Sequence, residues 1–403
     1  MRQSLASRKT KIALFLSGLL GEPLVALIAM LPFILRKDLG ASVYQIALFT
    51  MLKPVVALFS FYWGASLWRN RQWLKANWIG SWLLAPLPFL FFPWIDSVWL
   101  FIAGAAVFLF FQRGGMPAQM EILKQNVPPG ARESFFSWSS ALNFLGGAFL
   151  GLFIGKWMDA SNSSWKLIFF MSATVGLLAL IFQTRVPVKK FAAEKSIKSS
   201  FLTPWKDSWA LLKTRPDFGR FQIGFMWGGV GLMMIMPALV LYSADTLGVS
   251  HDTYTMSRLV WMGLGFIAAT PFWKRKISLA GIYKTTGIAC LFFTLSALAW
   301  ILAGVHINWF FVAFFLYGVA QAGSHLIWYL SGPLFAGNGD SSLFSTVNIL
   351  TVGLRGLIVP FMASLLCESI GPLPVIIMGA LCCLTGSIYL FAKSRKEVED
   401  VAF

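Results

Sequence analysis

Charge is what this chain has least of: Asp, Glu, Lys and Arg make up 12% of its 403 residues, against about 25% in an average soluble domain. That shortage excludes an ordinary water-soluble fold. Histidine occurs three times, and no HExxH, GxSxG or Walker glycine loop is found, so the metalloprotease, hydrolase and nucleotide-binding chemistries those motifs carry have no support. "GNGD" at 337–340 is too short for a phosphate cradle. The four cysteines, Cys290, Cys367, Cys382 and Cys383, fall in or beside apolar stretches without CxxC or zinc-site spacing, and read as packing residues. No cofactor or metal is expected. A membrane enzyme or receptor is the remotest reading, because no soluble catalytic or sensor domain is recognisable.

Apolar residues, by contrast, make up 57% of the chain. They gather into twelve stretches, each long enough as a helix to cross a hydrocarbon core of roughly 30 Å. The stretches fall at about 11–35, 43–67, 75–95, 97–120, 134–156, 165–184, 219–243, 252–273, 279–303, 307–330, 343–367 and 373–392. An all-α integral membrane protein with twelve transmembrane helices is expected. The basic start "MRQSLASRKTK" could pass for the opening of a signal peptide. The run behind it is too long, carries Glu22-Pro23 and has no small-residue cleavage site, so it reads as a retained helix.

A formal net charge of +17 would in a soluble protein suggest nucleic acid. With the N-terminus inside, 25 of the 33 Lys and Arg fall on the cytoplasmic side and only Arg36, Lys37, Lys156 and Lys166 outside. That asymmetry is the positive-inside pattern. It explains the basicity without nucleic acid and predicts a multi-pass protein of the inner (plasma) membrane with both termini cytoplasmic.

A basic segment from Thr184 to Arg220 separates six stretches from six. The expected organisation is an N-terminal bundle at 1–184, a cytoplasmic linker at 185–217, and a C-terminal bundle at 218–403 ending in a short cytoplasmic tail. The halves repeat each other: "LGAS" at 39–42 and "LGVS" at 247–250, and "SFFS" at 134–137 and "SLFS" at 342–345, are 208 residues apart. Trp68-Arg69 with Trp273-Lys274, and "QRGG" at 112–115 with "QAGS" at 321–324, agree at nearly that offset. Duplication is the economical explanation.

Six plus six spans, a basic central loop, and "MPAQMEILKQNVPPGAR" before a glycine-rich fifth span resemble the major facilitator superfamily over essentially the whole chain. The family's Gly-x-x-x-Asp-Arg-x-Gly-Arg loop appears as "GASLWRNRQ", keeping Gly64 and Arg69 but placing Trp68 at the aspartate and Arg71 at the second glycine. Gly147, Gly151 and Gly155 repeat at four-residue spacing, which lets another helix approach. The resemblance implies two pseudo-symmetric six-helix bundles, with spans 1, 2, 4, 5, 7, 8, 10 and 11 around a central cavity.

The mid-span ionisable residues all lie on those spans: Glu22, Lys53, Arg113, Arg258, His325 and Arg355. A charge facing lipid at mid-depth costs at least about 2.5–3.5 kcal/mol, so these must face water, protein or ligand. Glu22, 11 residues from Lys11, and Lys53, 11 residues from Ser42, are both roughly 16 Å deep. They are placed to pair, either as a structural bridge or as a switch in which Glu22 takes up a proton. Four cations exceed one acid, and arginine's planar fork suits carboxylate or phosphate, so an anionic substrate is expected. Arg113 and Arg355, flanked by glycines that leave room around a guanidinium, are the expected anion clamps, unless each merely donates to carbonyls. Arg258 matches Lys53 when both are counted from Trp273 and Trp68, and His325 is either an interior histidine or a proton relay. Gln112, Gln321, Asn143, Asn348 and Tyr329 are expected as polar liners.

The function expected is secondary active transport of a small organic anion by alternating access, proton-coupled through Glu22, by a protein acting as a monomer in the bilayer. The alternative is an exporter of lipophilic compounds or lipids, suggested by the Phe, Met and Trp content of the cavity helices.

Overall fold

The computed structural model describes residues 2–69, 71–160, 164–188, 202–336 and 341–401, and no strand occurs among them. The helices are α1 (Arg2–Leu39), α2 (Val43–Arg69), α3 (Leu74–Leu84), α4 (Val98–Asn126), α5 (Pro129–Ala160), α6 (Ser164–Leu177), α7 (Ala179–Gln183), α8 (Thr203–Thr214), α9 (Pro216–Leu241), α10 (His251–Thr255), α11 (Met262–Leu302), α12 (Asn308–Ala336), α13 (Ser342–Ile370) and α14 (Pro372–Val401). Each of the twelve apolar stretches falls on helical backbone. Among the described residues, eight are long and apolar enough to span a bilayer, in α1, α4, α6 with α7, α9, the second part of α11, α12, α13 and α14.

Two of the remaining stretches depart from plain helix for physical reasons, whereas α2 and α5 are continuous. The stretch at 75–95 ends as α-helix at Leu84 and continues as 3-10 turns over Leu87–Trp94, because Pro86, Pro88 and Pro93 withhold the N–H groups a helix needs. The stretch at 252–273 starts as α10, runs through π-helical turns at Met256–Trp261 and becomes α11. Its break from the next stretch falls at Gly281, whose φ of 69° only glycine adopts readily, rather than at the preceding "KRKIS".

The duplicated "LGAS" and "LGVS" are the same device twice. Gly40 has φ 60° and Gly248 φ 59°. Behind them Ala41 N donates to Leu35 O at 3.0 Å and Val249 N to Ser243 O at 3.1 Å, the same bond across six residues closing each helix end behind a left-handed glycine. The serine then caps the next helix: Gln45 N donates to Ser42 Oγ at 3.3 Å and Thr253 N to Ser250 Oγ at 3.0 Å, satisfying first-turn donors. Four residues suffice to end one helix and start another.

The chain forms two compact units. The first comprises residues 1–41, 56–198 and 250–255, and the second 42–55, 199–249 and 256–403. In the first, Leu14 of α1, Leu74 and Trp78 of α3, and Ala118, Ile122 and Leu123 of α4 share a buried core with Val186. In the second, Phe218 and Phe221 of α9 pack with Trp273 and Tyr283 of α11, Phe335 of α12 and Phe344 of α13. Backbones there meet at glycines. A Cβ on Gly318 would lie 2.0 Å from Met262 O, and one on Gly265 2.1 Å from Phe315 O, so any side chain would force α11 and α12 apart.

Candidate functional site

In the second unit the expected polar groups converge on one face of α12. Tyr317, Gln321 and His325 follow at four-residue spacing, which stacks them along a single helix face. Gln321 Nε2 donates to Tyr317 Oη at 2.5 Å. A cation stands at each end of this row. The Arg258 guanidinium lies over the Tyr317 ring, 5.8 Å from its centroid, with its Nε buried and unpartnered. Lys53 lies within electrostatic reach of His325, whose ring meets Phe266 of α11 edge-on at 5.6 Å. Tyr317 was not among the expected liners, although the 317, 321, 325, 329 spacing is legible in the sequence. Tyr329, the fourth of that series, is 64% exposed.

Arg355 is placed differently from a clamp that faces a cavity. It is buried between α13 and α9, where Nη1 donates to Phe225 O at 3.0 Å and Met226 O at 3.3 Å and the guanidinium lies over the Phe225 ring. The glycine beside it leaves no free room: a Cβ on Gly356 would fall 2.1 Å from the Pro54 ring. Asn348 is likewise internal. Its Nδ2 donates to Ser331 Oγ at 2.7 Å and its Oδ1 accepts from Gln222 Nε2, which binds α13 to α12 and α9 through a closed polar network.

Within the first unit, the Glu22 carboxyl lies against Gly147 of α5, where a Cβ would stand 3.3 Å from Oε1. No ion-pair partner of Glu22 occurs among the described residues. Glu22 and Lys53 belong to different units. Arg113, on α4, makes a 3.5 Å contact from Nη1 to Met116 Sδ. The glycines after it serve packing: a Cβ on Gly114 would lie 2.9 Å from the Trp63 indole and one on Gly115 2.8 Å from the Ser81 side chain. Gln112 lines a cleft with Gly21, Leu24, Val25, Ser81, Trp82, Phe108 and Phe111. The side chains of Asn143, Gly64, Trp68, Arg69 and Arg71 lie outside the described residues.

A Cβ on Gly323 would lie 2.6 Å from the Trp273 indole, as one on Gly114 would lie 2.9 Å from that of Trp63. Counted from the caps Gly40 and Gly248, Lys53 is thirteenth and Arg258 tenth; the count that matches the two runs through Trp68, whose side chain lies outside the described residues.

A second cluster, unforeseen from the sequence, lies where α1, α5 and α10 end together in the first unit. His251 Nε2 is 2.9 Å from Asp38 Oδ1 and Nδ1 is 3.0 Å from Asp159 Oδ1. Burial disfavours the charged imidazole, but the hydrogen bond and attraction of Asp38, with those of Asp159, outweigh it and raise the pKa above 6.5. For Asp159 burial acts upward, and the backbone N–H groups of Asp252 and His251 with the His251 ring outweigh it, so its pKa is lowered below 3.8.

The helical fold, with eight helices among the described residues able to span a bilayer, defines a polytopic membrane protein. The chain belongs to the major facilitator superfamily, whose family model matches residues 12–354. No curated protein sequence matches it. Its fold is similar to that of the nucleoside transporter NupG (TM-score 0.70, 12% identity, 96% of this chain and 98% of the other). A POT family transporter in complex with 5-aminolevulinic acid (TM-score 0.77, 11% identity, 96% of each chain) is also similar. So is a bacterial homologue of the human lysosomal transporter Spinster, inward-facing and unoccupied (TM-score 0.65, 14% identity, 99% of this chain and 98% of the other).

Proposed function

We propose that the protein is a twelve-span secondary active transporter for a small organic anion, working by alternating access in the inner (plasma) membrane with both termini cytoplasmic. The reading takes 1–184 and 218–403 as the two related bundles and 185–217 as their cytoplasmic linker. The observation that carries it is the row Tyr317, Gln321 and His325 on α12 with Arg258 and Lys53 at its ends. Two cations flank a line of hydrogen-bonding groups, and a guanidinium fork with an ammonium beside such groups suits a carboxylate or phosphate. Within the first unit Arg113 and Gln112 are candidate substrate-binding residues, and within the second Arg355 and Asn348 hold the helices that present the row.

Glu22 is the proposed proton acceptor. Its carboxyl lies against a glycine with no cation partner among the described residues, an environment in which small rearrangements change its protonation. Purified protein in proteoliposomes tests both parts. A thermal-shift screen of organic acids, phosphate esters, nucleotides and sugars selects ligands, and uptake of the hits is measured with and without a pH gradient. Hits confined to uncharged solutes would defeat the anion reading. A full gradient response in Glu22→Gln would defeat the coupling role.

The second reading, an exporter of lipophilic compounds or lipids, rests on the cleft walled by Trp82, Phe108 and Phe111. Anions that compete with dye or lipid efflux favour the first reading, and anions without effect the second.

A further inference from the structure

We propose that His251 is a proton-binding site at the ends of α1 and α5, and that the proton it holds clasps residues 250–255 to those helices. The site is made of groups no transport role has yet used. Both ring nitrogens face carboxylate oxygens, Nε2 toward Asp38 and Nδ1 toward Asp159, at 2.9 and 3.0 Å. A neutral imidazole has one N–H and therefore leaves a lone pair aimed at one of the two anions; only the imidazolium donates to both. Asp159 is held as an acceptor independently of the ring, since His251 N donates to its Oδ1 and Asp252 N to its Oδ2, each at 2.9 Å.

The charged groups around the ring favour the extra proton. From α1 come Asp38 and, opposing it, Lys37; from α5 comes Asp159; on α10 itself Asp252 keeps Oδ1 buried without a partner. Two acids and one base therefore act on a histidine that is 6% exposed. The uncharged face is Phe33, whose ring meets His251 at 5.8 Å and stacks on Tyr254 at 3.9 Å. Gly155 allows the close seating, for a Cβ there would lie 2.6 Å from Asp252 Cα.

π-Helical turns at Tyr242–Thr246 and Met256–Trp261 bracket the clasped segment, and turns of this kind recur at functional sites. Loss of the proton turns one of the two ring contacts into a lone pair against a carboxylate, and the segment is released. Residues 250–255 are then held when the local pH is low and freed when it rises. The proposal stands whichever solute is carried and whether or not Glu22 couples transport to protons.

The full chain in nanodiscs, carrying 15N-histidine, tests it, because only His251, His306 and His325 report and His251→Gln assigns the signal. The expected spectrum has both His251 nitrogens protonated at neutral pH, a midpoint above that of an ordinary histidine, and a lower midpoint in Asp38→Asn. A neutral ring at pH 6, or a midpoint unmoved by Asp38→Asn, overturns the proton site. For the clasp, amide exchange at His251 and Asp252 in the wild-type chain is followed through that midpoint. About a tenfold loss of protection beyond the base-catalysed trend is expected for one charge-assisted hydrogen bond, and protection that follows the trend alone overturns the clasp.

Discussion

Gly229 of α9 faces the Arg355 guanidinium so closely that a Cβ at 229 would stand 1.8 Å from Nη1 and 2.0 Å from Cζ. The helix surface is hollowed at the one residue where a planar cation must reach the carbonyls of Phe225 and Met226.

Gly229→Ala is therefore expected to eject the arginine from its seat. A buried charge stripped of partners costs about 3–5 kcal/mol, read as a large drop in melting temperature of the purified protein. Arg355→Met removes the charge together with its need for partners and is expected to be milder. The double variant should melt well above the sum of the two single losses, a non-additivity that identifies the pair as one unit.

Asn348 closes a network that a sequence cannot show. Asn348→Leu strands Gln222 Nε2, in a residue 4% exposed, and leaves Ser331 Oγ only its 3.5 Å bond to Trp328 O. Each unsatisfied group costs about 1–3 kcal/mol. The expected outcome is a loss of thermal stability with substrate affinity unchanged in whatever protein folds, which distinguishes a brace from a liner.

The row on α12 predicts the opposite pattern. Lys53→Gln and Arg258→Gln should leave the melting temperature within a few degrees and weaken anion uptake about 10- to 100-fold each, the worth of one charge-assisted hydrogen bond. Uptake kinetics in proteoliposomes measure this, with the change expected in KM for the anion and little effect on a neutral competitor.

How much of this was legible in the sequence follows a simple physical division. Spans, caps and the duplication are properties of neighbouring residues, so "LGAS" and "LGVS" announced two identical helix-turn-helix stops. The presence of charges in apolar helices was equally plain. What each charge meets depends on helix rotation and tilt, which composition does not encode: Arg355 and Arg113 both have glycine neighbours, yet those glycines admit Pro54, Trp63 and Ser81 rather than a substrate. The pairing of Trp68 with Trp273 falls on a side chain outside the described residues. His251 escaped notice because it abuts an apolar stretch. The available signal was three acids, Asp38, Asp159 and Asp252, each at the end of a helix on the same expected side.

The repeated caps carry their own test. Gly40→Ala and Gly248→Ala each force a Cβ into left-handed backbone, at a cost of about 1–2 kcal/mol, with no neighbour within 4 Å to add a clash. The two losses should be equal and additive in thermal melts. A markedly unequal pair would mean that the two turns, alike in φ and hydrogen bonding, carry different loads.

The His251 cluster fixes the pH range in which the first unit is most stable. His251 has its pKa raised above 6.5 in the fold, so its contribution is complete below 6.5 and is lost as pH rises through the folded value. Asp159 has its pKa lowered below 3.8, so its contribution is complete above 3.8 and is lost as pH falls through the folded value. Both are present together between the two, and melting temperature against pH should show a plateau there with a decline on each side. His251→Gln should remove the alkaline decline while leaving the acid one, because Asp159 still accepts from the backbone of residues 251 and 252. Asp159→Asn should flatten the acid limb and lower the plateau itself.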